Sequence, residues 1–306
     1  MRITNQIINK NGMDNISANM ERLYNYQTQA ATGKAYQNAS DNPAVAAEGM
    51  AVRSAQRAMT SYIDTANSTS DWMNASDYAL QQMADVSKQA VALIAKGLTD
   101  TNGPNERLAV GVQLNGMINQ MLNFANTQHV GKYIFAGFQV NTQPFQTTIV
   151  NDPQMGQVVS TVTYAGDAGL MQRDVGPNEQ TTANVIANTE LTNVLQVMIT
   201  ARDAMATNNL AVLHSTVSPM LDNIQNASDD VAELTTNLGA RMNVLESSVD
   251  RMKQANVDLT ALLSSKEEVN MAEVLSNLKN QETVYQATLQ VSARMNNMMN
   301  LFDALR

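Results

Sequence analysis

Residues 240–306 contain neither glycine nor proline. Proline lacks a backbone donor and glycine loses the most backbone entropy on ordering, so helix interiors exclude both. A stretch of that length without either is built for long helices. The punctuation gathers elsewhere: residues 131–177 hold six of the 14 glycines and three of the six prolines. After Pro219 the one glycine is Gly239. The chain therefore reads as long helices on both sides of a small irregular or β-rich insert.

Apolar spacing supports this. Val231, Leu234, Leu238, Met242, Leu245, Val249, Met252, Ala255, Leu259 and Leu262 recur at steps of three and four, which keeps them on one helix face. A second stripe is Trp72, Ala79, Met83, Val86, Ala90 and Leu93, broken once by Ser76. Trp72 on such a stripe reads as core. Both chain ends carry thinner stripes: Ile3, Ile7, Ile16, Met20 and Leu23 at one, Met271, Leu275, Leu278, Tyr285, Leu289, Met299 and Phe302 at the other.

Local signals place the boundaries. Gly33 after Thr32 suits a helix end, because glycine accepts the left-handed conformation found there. Ser40-Asp41-Asn42-Pro43 offers capping side chains and then proline for a first helical turn. Gly97 ends a helix in the same way, and Gly103-Pro104 starts one. These signals predict helices near 43–96 and 105–130 and a long return near 183–264. In the insert, Thr147 to Val150 and Gln157 to Tyr164 flank a turn at 151–156 and read as strands. Val158, Val162 and Tyr164 are expected to share a face with Ser160, and a further short strand is expected near Leu170 to Val175.

Charge and composition exclude several functions. Charged residues are only 15% of the 306, whereas 35 Asn and 24 Gln supply polarity without charge. A net charge of -9 argues against nucleic acid or an anionic membrane as partner, since phosphate binding needs a basic surface. The absence of cysteine removes disulfides, thiol catalysis and thiolate metal sites together. No apolar run approaches the ~20 residues of a spanning helix. The first ten residues lack an apolar core segment, so an ordinary cleaved signal peptide is not expected.

No reactive constellation emerges, and no catalytic residue, cofactor or metal is expected. Gly111 and Gly116 have phosphate-loop spacing, but Met117 replaces the lysine such a loop requires. His129 and His214 have no ligand partners nearby in sequence, and His129 reads as a helix-end residue. Glu267-Glu268 reads as a solvated helix face. Of the 20 methionines, most read as gap-filling core; Met295, Met298 and Met299 cluster near the end and read as a partner contact.

The terminal stripes are too thin to offset the ordering entropy of an isolated helix. Such helices become stable by packing on one another and on neighbouring molecules. The fold class expected is mainly α: a long antiparallel helical rod or coiled coil formed by both chain ends, with a small β-rich insert. The segments are 1–42 (polymerisation helix and turn), 43–130 (outgoing rod), 131–182 (outer insert), 183–264 (return rod) and 265–306 (second polymerisation helix). The candidate assembly residues are Ile3, Ile7, Ile16, Met20, Leu23, Leu275, Leu278, Tyr285, Leu289, Met295, Met299 and Phe302. The candidate inter-helix turn is Gly33, Ser40, Asp41, Asn42 and Pro43.

Thr32-Gly33-Lys34-Ala35-Tyr36-Gln37-Asn38-Ala39-Ser40-Asp41-Asn42-Pro43-Ala44 resembles the N-terminal turn of the bacterial flagellin superfamily. Gly131-Lys132-Tyr133-Ile134-Phe135-Ala136-Gly137-Phe138 and the run on to Phe145 resemble its hook-associated, junction-forming branch more specifically. Met1-Arg2-Ile3-Thr4 and Tyr285-Gln286-Ala287-Thr288-Leu289-Gln290 fit the same family. Asn42 and Ala35 depart from it, standing where a second acid and a basic residue are usual. The resemblance implies a non-enzymatic structural adaptor of the flagellum, exported without a cleaved signal and assembled outside the cell by its terminal helices. It implies as partners the other hook–filament junction protein, flagellin, copies of itself in a ring, and an export chaperone. A flagellin filament subunit is the rival reading; a secreted helical effector or enzyme is a more distant one.

Overall fold

The structure, a computed structural model, describes residues 2–99, 102–207 and 210–304; the side chains at 2–6, 8, 9, 210–212 and 295–304 fall outside that description. The elements are α1 (Arg2–Thr32), α2 (Pro43–Gly97), α3 (Pro104–Ala125), β1 (Gln128–His129), β2 (Lys132–Tyr133), β3 (Phe145–Asp152), β4 (Gly156–Tyr164), β5 (Gln172–Gly176), β6 (Glu179–Thr182), α4 (Asn188–Ala206), α5 (Leu210–Glu267) and α6 (Met271–Ala304). The fold is mainly helical, and the strands pair as three antiparallel hairpins in mid-chain: β1 with β2, β3 with β4, β5 with β6. Among the described residues no helix is long and apolar enough to cross a membrane. The chain divides into two units, residues 1–58 with 254–306, and residues 59–253.

The larger unit is built on the stripes. Met73, Ala79, Leu80, Met83, Val86, Ala90 and Ile94 of α2 are buried, as are Val231, Leu238, Leu245, Val249 and Met252 of α5. Leu114, Ile118 and Met121 of α3 and Leu191, Val194, Leu195 and Met198 of α4 join the same core. Ser76, the polar break in the α2 stripe, is buried without penalty because its hydroxyl donates to the Trp72 carbonyl one turn back (3.0 Å). Arg202 of α4 is a fully buried cation. Its guanidinium donates to Asp203 (2.8 and 2.6 Å) and to Asn115 of α3 (3.1 Å), so the charge is paired and cross-links two helices.

The glycine-rich segment after α3 is a knot of backbone hydrogen bonds around buried Ile134, Phe135 and Ala136. Asn126 imitates a strand partner. Its Oδ1 accepts from the Phe145 N–H and its Nδ2 donates to the Phe145 carbonyl, both at 3.0 Å. Phe145, itself buried, packs its ring on Tyr164 at 5.3 Å. The Tyr164 hydroxyl lies 2.9 Å from the carbonyls of both Phe135 and Asp167, and burial raises its pKa. The β5–β6 hairpin is tied to α5: Arg241 donates to the Thr182 and Asn184 carbonyls (3.1 and 3.3 Å), and the Ser248 hydroxyl to Glu179 (2.7 Å).

Four expectations differ from the structure. The return is two helices rather than one, α4 closing at Thr207, whose hydroxyl and N–H both donate to the Ala204 carbonyl. Val158, Ser160 and Val162 do not share one face: Val162 stands with Val159 and Tyr164, and Val158 on the opposite side. The register shifts there, Thr148 facing Thr161 and Ile149 facing Val159, so both Val158 and Val159 are buried. The third predicted strand begins two residues later, at Gln172, and pairs with β6. His129 is not at a helix end: α3 stops at Ala125, and His129 lies in β1 with its ring edge-on to Trp72 at 5.9 Å.

Replacing Asn126 by Ala leaves the buried Phe145 N–H without a partner and its carbonyl with Gln143 Nε2 alone (3.2 Å). We expect a loss of about 2 kcal/mol in urea unfolding, with the helical content of the native baseline unchanged. An effect below a few tenths of a kcal/mol would show that the knot does not depend on that side chain.

Candidate functional site

The smaller unit contains both chain ends and the turns that join them to α2 and α5. Its turns hold the terminal helices in place. Gly33 adopts φ 69°, the left-handed conformation that ends α1, and its N–H returns to the Gln29 carbonyl (2.8 Å). The chain then pairs with the α5–α6 connection as a short antiparallel ladder. Ala35 N–H donates to the Glu267 carbonyl (2.7 Å), Val269 N–H to the Gly33 carbonyl (3.0 Å), and Lys34 faces Glu268.

Beneath this ladder lies Glu267, only 6% exposed. Its carboxylate accepts from the Arg53 guanidinium and from the Tyr36 hydroxyl (3.2 Å). Gly49 lies in the interior of α2 because a Cβ there would meet the same carboxylate at 2.5 Å. Partial burial, and then the neighbouring Glu267 charge, raises the Tyr36 phenol above its usual pKa. The expectation that Glu267 sits on a solvated face is therefore wrong; its partners are 214 and 231 residues away in sequence and invisible to local periodicity. Glu268 is exposed, accepting from Ser264 (2.5 Å).

The turn 37–43 is self-contained. Asp41 accepts the N–H groups of Asn38 (2.9 Å) and Gln37 (3.2 Å), and Ser40 donates to it at 3.4 Å. The Asn38 hydrogen bond, foremost among these, holds the Asp41 carboxyl below its ordinary pKa. Asn42 caps α2 by accepting from Val45 N–H (3.3 Å), with Pro43 as the first helical residue.

Helices α1 and α6 run antiparallel, Gly12 opposite Ser292 and Asn19 opposite Thr288. The middle of their seam is an amide cluster: Asn19 Nδ2 donates to Thr288 Oγ1 (3.0 Å), and Gln281 Nε2 donates to Asn19 Oδ1 (3.1 Å). Ile16, Leu23, Leu278 and Tyr285 are half-buried along it. Val274 alone among the described side chains of the two helices is buried. The other candidate assembly residues point away from the seam: Ile7 (53% exposed), Met20 (59%), Leu275 (51%) and Leu289 (41%). Ile3, Met295, Met299 and Phe302, with Met298 beside them, lie outside the described side chains. Met13 (71%) and Tyr24 (66%), which the thin sequence stripe passed over, belong to the exposed set; Met13, Met20 and Tyr24 recur at i, i+7 and i+11, a signal the sequence did carry.

The seam is thus built of amides and half-buried side chains and is flanked by exposed apolar residues. Residues 3–140 match the bacterial flagellin N-terminal helical region and residues 221–305 the bacterial flagellin C-terminal helical region. The chain belongs to the bacterial flagellin family. It is 22% identical over 319 residues to flagellar hook-associated protein 3 of Escherichia coli, covering 96% of this chain and 97% of that one. In fold it is similar to a putative flagellar hook-associated protein from Vibrio parahaemolyticus (TM-score 0.65, 14% identity, 74% of this chain and 100% of that one). It is similar also to FlgL of Bacillus cereus (TM-score 0.57, 21% identity, 70% and 99%).

Two outcomes are expected of the turns. Glu267→Gln keeps the shape but removes the charge that Arg53 and Tyr36 address. The Ala35 and Val269 amides should then exchange with solvent roughly tenfold faster, for about 1–2 kcal/mol of lost local stability. Unchanged exchange would mean the ladder stands without its carboxylate. Asp41, with its folded pKa depressed, supports its turn fully above the ordinary carboxylate range, and that support is lost as pH falls through the folded pKa. The Asn38 amide resonance should follow this titration, and Asp41→Asn should abolish it.

Proposed function

We propose that this chain is a structural component of the bacterial flagellum that joins the hook, through the other junction protein, to the flagellin filament. The observation that carries the reading is the unfinished burial of α1 and α6: they pair, yet leave apolar side chains exposed along both helices. Exposed apolar stripes on paired terminal helices call for further protein contacts. The full-length similarity to a flagellar hook-associated protein 3 supports the place, and membership of the flagellin family supports assembly through terminal helices. On this reading Ile7, Ile16, Met20, Leu23, Leu275, Leu278, Tyr285 and Leu289 form the assembly interface, with Ile3, Met295, Met299 and Phe302 extending it. Turn residues Gly33, Ser40, Asp41, Asn42 and Pro43 set the path into it. The protein works outside the cell, delivered with the help of an export chaperone, and catalyses nothing.

Deleting the gene tests the place: hooks should persist while flagellin is shed into the medium. Retained filaments would overturn it, and a labelled copy decorating the whole filament would make the chain a filament subunit instead. Two variants test the interface. Leu289→Asp, on the exposed side, should leave the melting of the purified chain within about 0.5 kcal/mol of the parent and still abolish filament attachment. Leu278→Asp, in the seam, should weaken the α1–α6 pair as well. Normal filaments on Leu289→Asp hooks would remove the exposed side from the interface.

A further inference from the structure

The two broad faces of the α1–α6 pair differ, and each fits the other. On one face a groove of about 470 Å³ runs between the helices, lined by Asn11, Gly12 and Asn15 of α1 and by Val284, Ala287 and Val291 of α6. Val284 and Val291 are 47% and 57% exposed and stand seven residues apart. Gly12 has nothing nearer its missing Cβ than Ser292 Oγ at 3.8 Å, so the groove is deep there because no side chain fills it. Met13, Met20 and Tyr24 lie about a quarter turn from the seam on the opposite side. With Leu289 they form a ridge on the pair's other face. Met13 and Met20 repeat at the same seven-residue interval as the valines across the groove. That is the spacing at which knobs enter holes between parallel neighbours.

Three charges near the level of Met20 are complementary, although Lys10 and Lys279 border the ridge and Glu273 the groove. Glu21, which lines a recess together with Tyr24, and Glu282, midway between Leu275 and Leu289 at heptad spacing, border the ridge. Arg22, seven residues after Asn15, and Arg294, seven after Ala287, border the groove. All four are exposed, and none makes an ion pair among the described residues.

We propose that the groove of one copy receives the Met13–Met20–Tyr24 ridge of a second copy lying alongside it in the same direction. The proposal rests on the reading that the terminal helices pack between molecules, and adds which face of one copy meets which face of the next. From the pairing of Asn19 with Thr288, an in-register neighbour places Met20 between Val284 and Val291. The same alignment brings the Glu21 and Glu282 rim to the level of Arg22. The contact is heterologous, each copy offering one face and receiving on the other, so it propagates instead of closing as a symmetric dimer.

The chain has no cysteine, so disulfide trapping reads the contact without background. The full chain carrying Met20→Cys and Ala287→Cys, concentrated and oxidised, should give a ladder of dimer, trimer and higher species. Met20→Cys alone should stay monomeric on a non-reducing gel. Gly12→Leu, which fills the groove from a helical position, should weaken self-association in sedimentation at least tenfold while preserving the far-UV spectrum. Arg22→Glu should weaken it too, and adding Glu282→Arg should recover it. Efficient dimers from Met20→Cys alone would show a symmetric contact and overturn the proposal. Association without a ladder would overturn the face assignment yet leave packing between terminal helices standing. No association at any concentration would overturn both.

Discussion

One buried carboxylate organises the base of the terminal helices. Glu267 is out of water, and an unpaired charge in that position costs several kcal/mol. Arg53 and Tyr36 must therefore both reach it, and α2 must come close enough to require glycine at position 49. Those demands fix three pieces of chain at once: the segment after α1, the start of α2, and the end of α5. The ladder of Gly33, Lys34 and Ala35 against Glu267, Glu268 and Val269 forms over the ion pair, so both terminal helices leave from one joint. The register of α1 on α6 begins there.

Amides continue what the carboxylate starts. A chain with 59 Asn and Gln and few charges must satisfy polar groups without ions. Asn126 stands in for a strand partner at Phe145. Asn184 accepts from the Met171 N–H (2.9 Å) and donates to the Gly169 carbonyl (2.7 Å), joining two loops. Asn19 and Gln281 do the same between helices. An amide pair in a helix seam adds little stability but strongly disfavours slippage, because a shifted register would leave donors unmet. The terminal pair is thus specified in alignment while remaining weak in burial.

The sequence made the helices legible because helix propensity and period are local. The absence of glycine and proline over 240–306 and the stripe from Val231 to Met252 depend only on neighbours within a few turns, and α5 buries that stripe. What was illegible depends on distant partners. Glu267 looked solvated because Arg53 and Tyr36 are more than 200 residues away. His129 looked like a helix cap, and its contact with Trp72 follows from the turn at Val130 and Gly131, where φ is 50° and 73°. The bulge at Ser160 shifts the parity of a strand, which alternation alone cannot locate. The terminal stripes looked like one seam, but the structure sends Ile16, Leu23, Leu278 and Tyr285 to the partner helix and Met20, Leu275 and Leu289 outward.

That division has a geometric cause. A helix laid on one partner covers an arc of little more than ~100°. Ile16, Asn19 and Leu23 occupy this arc on α1, whereas Met13, Met20 and Tyr24 stand outside it. On α6 the side chains outside the arc fall on both flanks, Leu275 and Leu289 on one and Val284 and Val291 on the other. No two-helix arrangement can bury all of them, whatever its register. Making the seam more apolar would tighten the pair and leave the flanks as they are. On the proposed function further helices satisfy the flanks, and an antiparallel pair with unlike faces can accept them on both sides. Thin burial within the pair and two distinct faces outside it are the same property, which the proposed function turns into ordered growth.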